Sequence, residues 1–407
     1  MKITKNNNFH LTYCSNIHPG ESWVEVFANL ETYIPELKSR LSPTEPFGIG
    51  LRLANTAAKQ LLESNNLAQF QAWLTQEDLY VFTLNGFPYG GFHRQVVKDH
   101  VYAPDWSTQE RFNYTLSLTK ILATLLPESL DGGISTLPLS YKPWWEKDKS
   151  MCETVLKNSC FNIASVVMEM IRIHEETGKL LHIDLEPEPD GLIENTSEVI
   201  DFFQNWLLPI GGNYLSEQLN IEQNLAETKL LEHVRLCYDT CHFSVEYEEP
   251  KSVFARLQSV GIKIGKIQIS AAIKVKIPAE IEKRSLIVER LRPFAESTYL
   301  HQVIERQSDG TLHHYPDLIN ALPHLEQSLA EEWRTHFHVP IFIHDYQVLQ
   351  STQDDIATVL HLLQTNNACQ HLEIETYTWD VLPLEMKIDL LTSIQREYEW
   401  VLKLIRN

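Results

Sequence analysis

Between Leu180 and Gly191 the chain reads Leu-Leu-His-Ile-Asp-Leu-Glu-Pro-Glu-Pro-Asp-Gly, an apolar run that rises into carboxylates and stops at two prolines and a glycine. Asp184, Glu186 and Glu188 alternate with other residues, so on a strand they share one side. There their charges repel unless a cation lies among them. The stretch is therefore either a solvated acidic strand end or a set of metal ligands. Comparable residues close three later apolar runs: Asp239 with His242 three positions on, Gln268, and Glu375 in His371-Leu372-Glu373-Ile374-Glu375. Glu186, Asp239, Gln268 and Glu375 are hard oxygen ligands that suit Mn²⁺ or Mg²⁺, with Zn²⁺, Co²⁺ or Fe²⁺ also compatible. An ion held this way can grip two adjacent oxygens of a polyol or hydroxy-ketone and stabilise an enediolate. Glu186 and Glu375 would then carry protons on opposite faces of the substrate carbon, with His242 polarising its oxygen. Glu373 has the parity of Glu375 but lies deeper in its run.

Four further histidines are candidates for a second metal or for substrate. His336 and His338 sit on one side of an apolar stretch, His18 lies in a polar turn, and His301 lies in the run 299–306. Cys237, Cys241 and His242 lack the second ligand pair that a structural zinc site needs.

These residues need a frame that brings distant strand ends together. Short apolar runs alternate with amphipathic helical segments: strands are expected at 10–14, 47–53, 79–84, 133–137, 180–186, 234–239, 264–270 and 371–376. Between them, Ser22-Trp23-Val24-Glu25 and Ser107-Thr108-Gln109-Glu110 read as capping boxes. Asn55 reads as a cap for 56–63, Gly178 and Gly261 as helix stops, and Pro35 as a bend or break. A final helix is expected from Leu384 to Ile405. The span after Ala271 is twice the length of one strand–helix unit. Within it, 299–306 and 311–314, joined by Ser308-Asp309-Gly310, predict an inserted β-hairpin. Eight strand–helix units imply a parallel α/β sheet closed as a (β/α)₈ TIM barrel, whose active sites lie at the carboxyl ends of the strands. One domain over 1–407 is expected, with an insertion at about 271–340 between strands seven and eight.

The 407 residues carry a formal net charge of −20, which argues against a nucleic-acid phosphate backbone as partner. The six scattered cysteines suit free thiols. Met1–Phe9 is polar, without the apolar core of a signal peptide, and no run reaches membrane-spanning length. The cytoplasm, a small-molecule partner and no membrane insertion are the expectations, with a homo-oligomer left open.

The order Glu186, Asp239-x-x-His242, Gln268, Glu375 resembles the xylose-isomerase-like TIM barrels, which include sugar (phosphate) isomerases, ketose epimerases and metal-dependent AP endonucleases. More narrowly, Leu11–Glu21, Asn85-Gly86-Phe87-Pro88-Tyr89-Gly90, Val101–Trp106, Tyr299-Leu300-His301-Gln302-Val303 and Glu375–Trp379 resemble the EboE metabolite-traffic family over essentially the whole chain. The resemblance implies a bacterial or cyanobacterial gene-cluster protein that handles or exports a small metabolite. It also implies that Glu186, Asp239, Gln268 and Glu375 bind the principal metal. His242 would contact substrate or a second metal, and His336 and His338 would stand where the endonucleases carry further ligands. Two departures matter. Gln268 replaces a common histidine, which should weaken or reselect the metal. Glu188 stands where xylose isomerases have a lysine, against their hydride shift. The implied activity is a metal-dependent isomerase or epimerase; a non-catalytic metabolite carrier is the alternative. An endonuclease is disfavoured by the charge and by the lack of histidines ending strands two and three.

Overall fold

The computed structural model describes residues 1–3, 8–383 and 386–406. Seven strands, β1 (Phe9–Tyr13), β2 (Phe47–Arg52), β3 (Leu79–Asn85), β4 (Gly132–Thr136), β5 (Leu181–Leu185), β6 (Val234–Asp239) and β7 (Ile264–Ile269), alternate with helices. They pair in parallel, in order, from β2 to β7. The eighth barrel strand, β14 (His371–Ile374), inserts between β7 and β1, also in parallel. A two-residue strand, Lys2–Ile3, adds antiparallel to β1. Closure between β1 and β2 rests on one Cys14–Gly50 bridge. Around it the Thr12 hydroxyl stands in for the missing ladder: it donates to the Gly48 carbonyl at 3.0 Å and accepts from the Gly50 amide at 2.7 Å. The expected (β/α)₈ architecture is thus present.

Most predicted strands are offset by a residue or two, and β6 coincides with its prediction. The Ser22–Glu25 box is formed, with the Ser22 amide donating to Glu25 Oε2 at 2.9 Å. Three local expectations need correction. The helix Trp23–Leu41 runs through Pro35 unbroken, held on both sides by the buried Ile34 and Leu37. Asn55 is the first helical residue rather than the cap, since Ala54 occupies that position. At the Ser107 box the cap is Thr108, which accepts from the Arg111 amide, because Ser107 is drawn back to Asp105 Oδ1 at 2.6 Å. The predicted start of the last helix, Leu384, lies outside the described residues, as do Thr4–Asn7 of the polar N-terminal segment; the helix seen is Leu390–Arg406.

The lumen departs from the branched apolar filling usual in such barrels. Lys266, Glu373, Asp184 and His182 are all fully buried. Lys266 Nζ donates to Glu373 Oε2 at 2.7 Å, and His182 Nδ1 pairs with Asp184 Oδ1 at 2.6 Å. Room for these groups comes from missing side chains: a Cβ on Gly50 would stand 1.8 Å from Glu373 Oε1, and one on Gly265 1.9 Å from Asp184 Oδ1.

The insertion is more extensive than a hairpin. One residue past β7 the chain enters β8 (Ala271–Lys276), the first of six strands in a second, wholly antiparallel sheet. The others are β9 (Val303–Arg306), β10 (Leu312–Tyr315), β11 (Glu332–Val339), β12 (Asp345–Tyr346) and β13 (Leu349–Ser351), in the order β10-β9-β11-β8-β13-β12. The predicted hairpin is β9–β10, turning through Gly310 at φ +86°. Because β8 runs straight on from the carboxyl end of β7, this sheet rises from the barrel mouth and carries β11 with it. The β11–β8 register shifts between Thr335 and Val339, an irregularity that contains His336 and His338. Such breaks re-aim side chains beside sites.

Candidate metal centre

The acids come first. Glu186 follows the last residue of β5, Asp239 ends β6, Gln268 is next to last in β7, and Glu375 follows β14. Register pairs Asp239 with Gln268 across β6–β7 and Gln268 with Glu373 across β7–β14. Asp239 and Glu375 are each held through one oxygen, whereas Glu186 Oε1 comes no nearer than 3.9 Å to His242 Nδ1. Asp239 Oδ1 accepts from Ser270 Oγ at 2.7 Å and from the His242 amide at 3.0 Å. Glu375 Oε1 accepts from the amides of Asn16 at 2.7 Å and Asn85 at 3.0 Å. Asp239 Oδ2, Glu186 Oε2 and both amide atoms of Gln268 are buried with no hydrogen-bond partner. Burial, then the charges of Glu375 and Asp239, push the Glu186 carboxyl well above the usual carboxylate range. Burial, then Asp239 and Glu373, do the same to Glu375, against the pull of Lys266. Three carboxyl groups brought from three strands therefore crowd one another.

Histidines fill the gaps between them. His242 Nδ1 donates to the Pro187 carbonyl at 3.1 Å. Its Nε2 stands 3.8 Å from both Glu188 Oε2 and Asp239 Oδ1. His338 Nδ1 donates to the Glu375 carbonyl at 2.8 Å, which turns Nε2 toward Asp239 Oδ2, 4.0 Å away. His336 Nδ1 pairs with Gln302 Oε1 at 2.8 Å, and its Nε2 is buried without a partner. Burial lowers all three histidines, His242 to about 4. They therefore stand neutral, the form that binds metals. Three overlapping sets, Asp239/His242/His338, Glu188/His242/His336 and Cys241/His336/His338, have ligand atoms within 4.8 Å of one another and can coordinate a divalent ion. The outward ring nitrogens are fixed by carbonyl or amide acceptors, the arrangement that orients metal-binding imidazoles.

A cavity opens onto this cluster, lined by Glu186, Glu188, His242, His336 and Glu375 on the barrel side. Its outer wall is aromatic: Phe87, Phe92 and Tyr102 from the long loop after β3, and Tyr299 and Tyr377 from the insertion and the segment after β14. Lys98 is the only lysine or arginine among the described lining residues, and it is engaged by Asp317 and the Tyr299 carbonyl, both at 2.6 Å. Two predicted histidines stand apart. His301 has both nitrogens occupied, by the His336 carbonyl at 3.1 Å and Glu296 at 2.7 Å, and so sits behind His336. His18 pairs with the Tyr13 hydroxyl at 2.8 Å and stacks on Tyr33, off the cavity.

Sequence reasoning missed Asn16 and Asn85, which grip Glu375. It read Glu188 as a member of the acidic run and as a departure from a family lysine, not as a principal ligand, and it set Cys241 aside. Asn16 and Asn85 follow or end β1 and β3, so the strand-end criterion that found the acids would have found them. Glu188 is pushed up to about 8, first by burial.

No protein-family model and no curated protein matches the chain. Among solved structures it is similar to an IolI protein with a zinc atom, at 12% identity and TM-score 0.43, covering 97% of this chain and 98% of that one. It is also similar to the probable 3-DHS dehydratase AsbF of Bacillus anthracis, at 12% identity and TM-score 0.43, covering 98% and 100%. A D-psicose 3-epimerase solved with D-fructose aligns at 10% identity and TM-score 0.44, covering 98% and 100%. At such identities and scores these likenesses carry no weight for the chemistry, which rests on the residues above. Among the described residues no helix is long and apolar enough to cross a membrane.

Proposed function

We propose that this chain is a divalent-metal-dependent isomerase or epimerase acting on a small, uncharged polyhydroxylated metabolite. One observation carries the reading: Glu186 and Glu375, both pushed toward protonation first by burial and then by neighbouring carboxylates, face one cavity among orphaned ligand atoms. The donor set fits a divalent ion. Glu186, Asp239, Gln268 and Glu375 would hold it, with His242 and His338 at its edge, and Mn²⁺ or Mg²⁺ suits the oxygens. When bound, the ion supplies positive charge that polarises a hydroxy-ketone oxygen.

The chain's own groups do the rest. Glu375, anchored through Oε1 by two amides, keeps Oε2 free to take or return a proton, and Glu186 offers the matching carboxyl from another strand. Neutral His242 can orient a substrate hydroxyl. The aromatic wall excludes water and packs against the C–H faces of a polyol. With Lys98 already engaged, the described residues lining the cavity include no free lysine or arginine for a phosphate, which favours a neutral polyol over a sugar phosphate. The residues shared with the EboE family support a metabolite that is handled or exported in an ebo-type pathway.

The test is proton exchange. Protein loaded with Mn²⁺ is incubated in D₂O with a panel of ketoses, aldoses and cyclitol ketones, and solvent deuterium at the carbon beside the carbonyl is followed by NMR. Incorporation that is lost in Glu375→Gln supports the reading. Metal binding without incorporation into any of them contradicts it and leaves a carrier that binds the metabolite unchanged.

A further inference from the structure

A second cluster of ligating side chains lies at the opposite end of the barrel, where the strands begin. Asp131 directly precedes β4, His182 is the second residue of β5, and His371 is the first of β14. His371 Nε2 stands 3.2 Å from Asp131 Oδ1, and His182 Nε2 stands 3.7 Å from Asp131 Oδ2. All three side chains offer ligand atoms within 4.8 Å of one another. Neighbouring ligands in a tetrahedral zinc site with bonds of ~2.0–2.1 Å are about 3.3 Å apart, a spacing that these two distances bracket.

The decisive feature is His182. It is fully buried, and Asp184 Oδ1 accepts the proton of its Nδ1 at 2.6 Å. That bond leaves a lone pair on Nε2, which has no hydrogen-bond partner and faces another acceptor, the Asp131 carboxylate. A lone pair turned on a carboxylate in a buried site is unfavourable unless a cation lies between them. Carboxylate, imidazole and metal in series is how proteins fix the tautomer of a ligating histidine. Arg235 anchors Asp131 through Oδ2 at 2.8 Å and leaves Oδ1 turned to His371.

We infer that Asp131, His182 and His371 form a second divalent-cation site, best matched to Zn²⁺ and separate from the one at the barrel mouth. Two imidazoles and one carboxylate suit zinc better than Mg²⁺ or Mn²⁺. A cavity lined by Asp131, Arg235, Lys263, Asn366 and His371 reaches the cluster from solvent, giving the ion an entry path and a fourth, open position. An ion here would tie together the starts of β4, β5 and β14.

The experiment uses the full chain, stripped with chelator and re-equilibrated with Zn²⁺. Bound zinc is counted by elemental analysis, and zinc anomalous scattering is recorded from soaked crystals of the unsubstituted protein. The inference predicts an anomalous peak between Asp131, His182 and His371. It also predicts that Asp131→Asn and His371→Asn each bind one zinc fewer per chain, while Asp239→Asn loses only the zinc at the mouth. No peak at this position overturns the inference whatever the variants do. Unchanged stoichiometry in a folded Asp131→Asn protein overturns it equally.

Discussion

His338 Nε2 and Asp239 Oδ2 face each other across 4.0 Å of buried space, and neither atom has a hydrogen-bond partner. The gap is too wide for a hydrogen bond and would place the two atoms on roughly opposite sides of an ion with bonds of ~2.0–2.2 Å. Asp239→Asn keeps the shape and the Ser270 contact but removes the charge. Purified beside the unsubstituted protein in Mn²⁺-supplemented buffer, it should carry one equivalent less metal per chain by elemental analysis. Equal metal content would remove Asp239 from the ligand set.

Asn85 acts through Glu375. Its amide shares Glu375 Oε1 with Asn16, so Asn85→Ala should loosen the carboxylate without removing a ligand. Partners of this kind are worth about 10–100-fold in metal affinity or activity. A fall in deuterium exchange of that size with the fold intact is expected; unchanged exchange would mean that Asn16 alone suffices.

Glu397, on the last helix, accepts from Thr376 Oγ1 at 2.7 Å and from the Ile341 amide at 3.3 Å. Burial pushes its carboxyl up to about 8 from an ordinary value of 4.5, and those two bonds only partly offset it. The folded chain therefore holds a proton that the unfolded chain has released. This contribution is complete below pH 4.5, falls as pH rises toward 8, and is flat beyond. Its slope is about 1.4 kcal/mol per pH unit between those limits. Urea unfolding of Glu397→Gln should show that much less loss between pH 5 and 7 than the parent chain. Parallel pH profiles would contradict the assignment.

The Lys266–Glu373 pair is buried on both sides. Glu373→Gln leaves the ammonium without its counter-charge and should cost roughly 3–5 kcal/mol in unfolding free energy. Gly50→Ala should also destabilise, because its Cβ would meet Glu373 Oε1 at 1.8 Å and the Tyr13 carbonyl at 2.7 Å. Denaturant midpoints check both, and an unchanged midpoint in either would be inconsistent with the packing described.

Eight barrel strands are legible in the sequence because each is a short apolar run whose ends carry turn residues. Placing acids at the carboxyl ends then follows from the architecture. The insertion is less legible, since β8 pairs with β11 more than fifty residues later and nothing local encodes that partner. His336 and His338 could be put on one side of a stretch from sequence, but their arrival over Asp239 depends on that long-range register. The deep cluster was within reach. Counting back by twos from Glu186 gives Asp184 and His182, and from Glu375 gives Glu373 and His371. The strand-end pattern does not by itself reveal the buried polar residues His182, Asp184, Lys266 and Glu373 beneath it. The caps misread at Asn55 and Ser107 turned on which neighbour competes for one side chain, a matter of single hydrogen bonds.

The central claim is that acids from separate strands share one ion at the barrel mouth. Anomalous diffraction at the manganese edge from crystals soaked in Mn²⁺ tests it most directly. The account predicts a single strong peak at the mouth, about 2.0–2.3 Å from oxygens of Glu186, Asp239 and Glu375. A mouth without a peak, or a peak that contacts only one of the three, would contradict it.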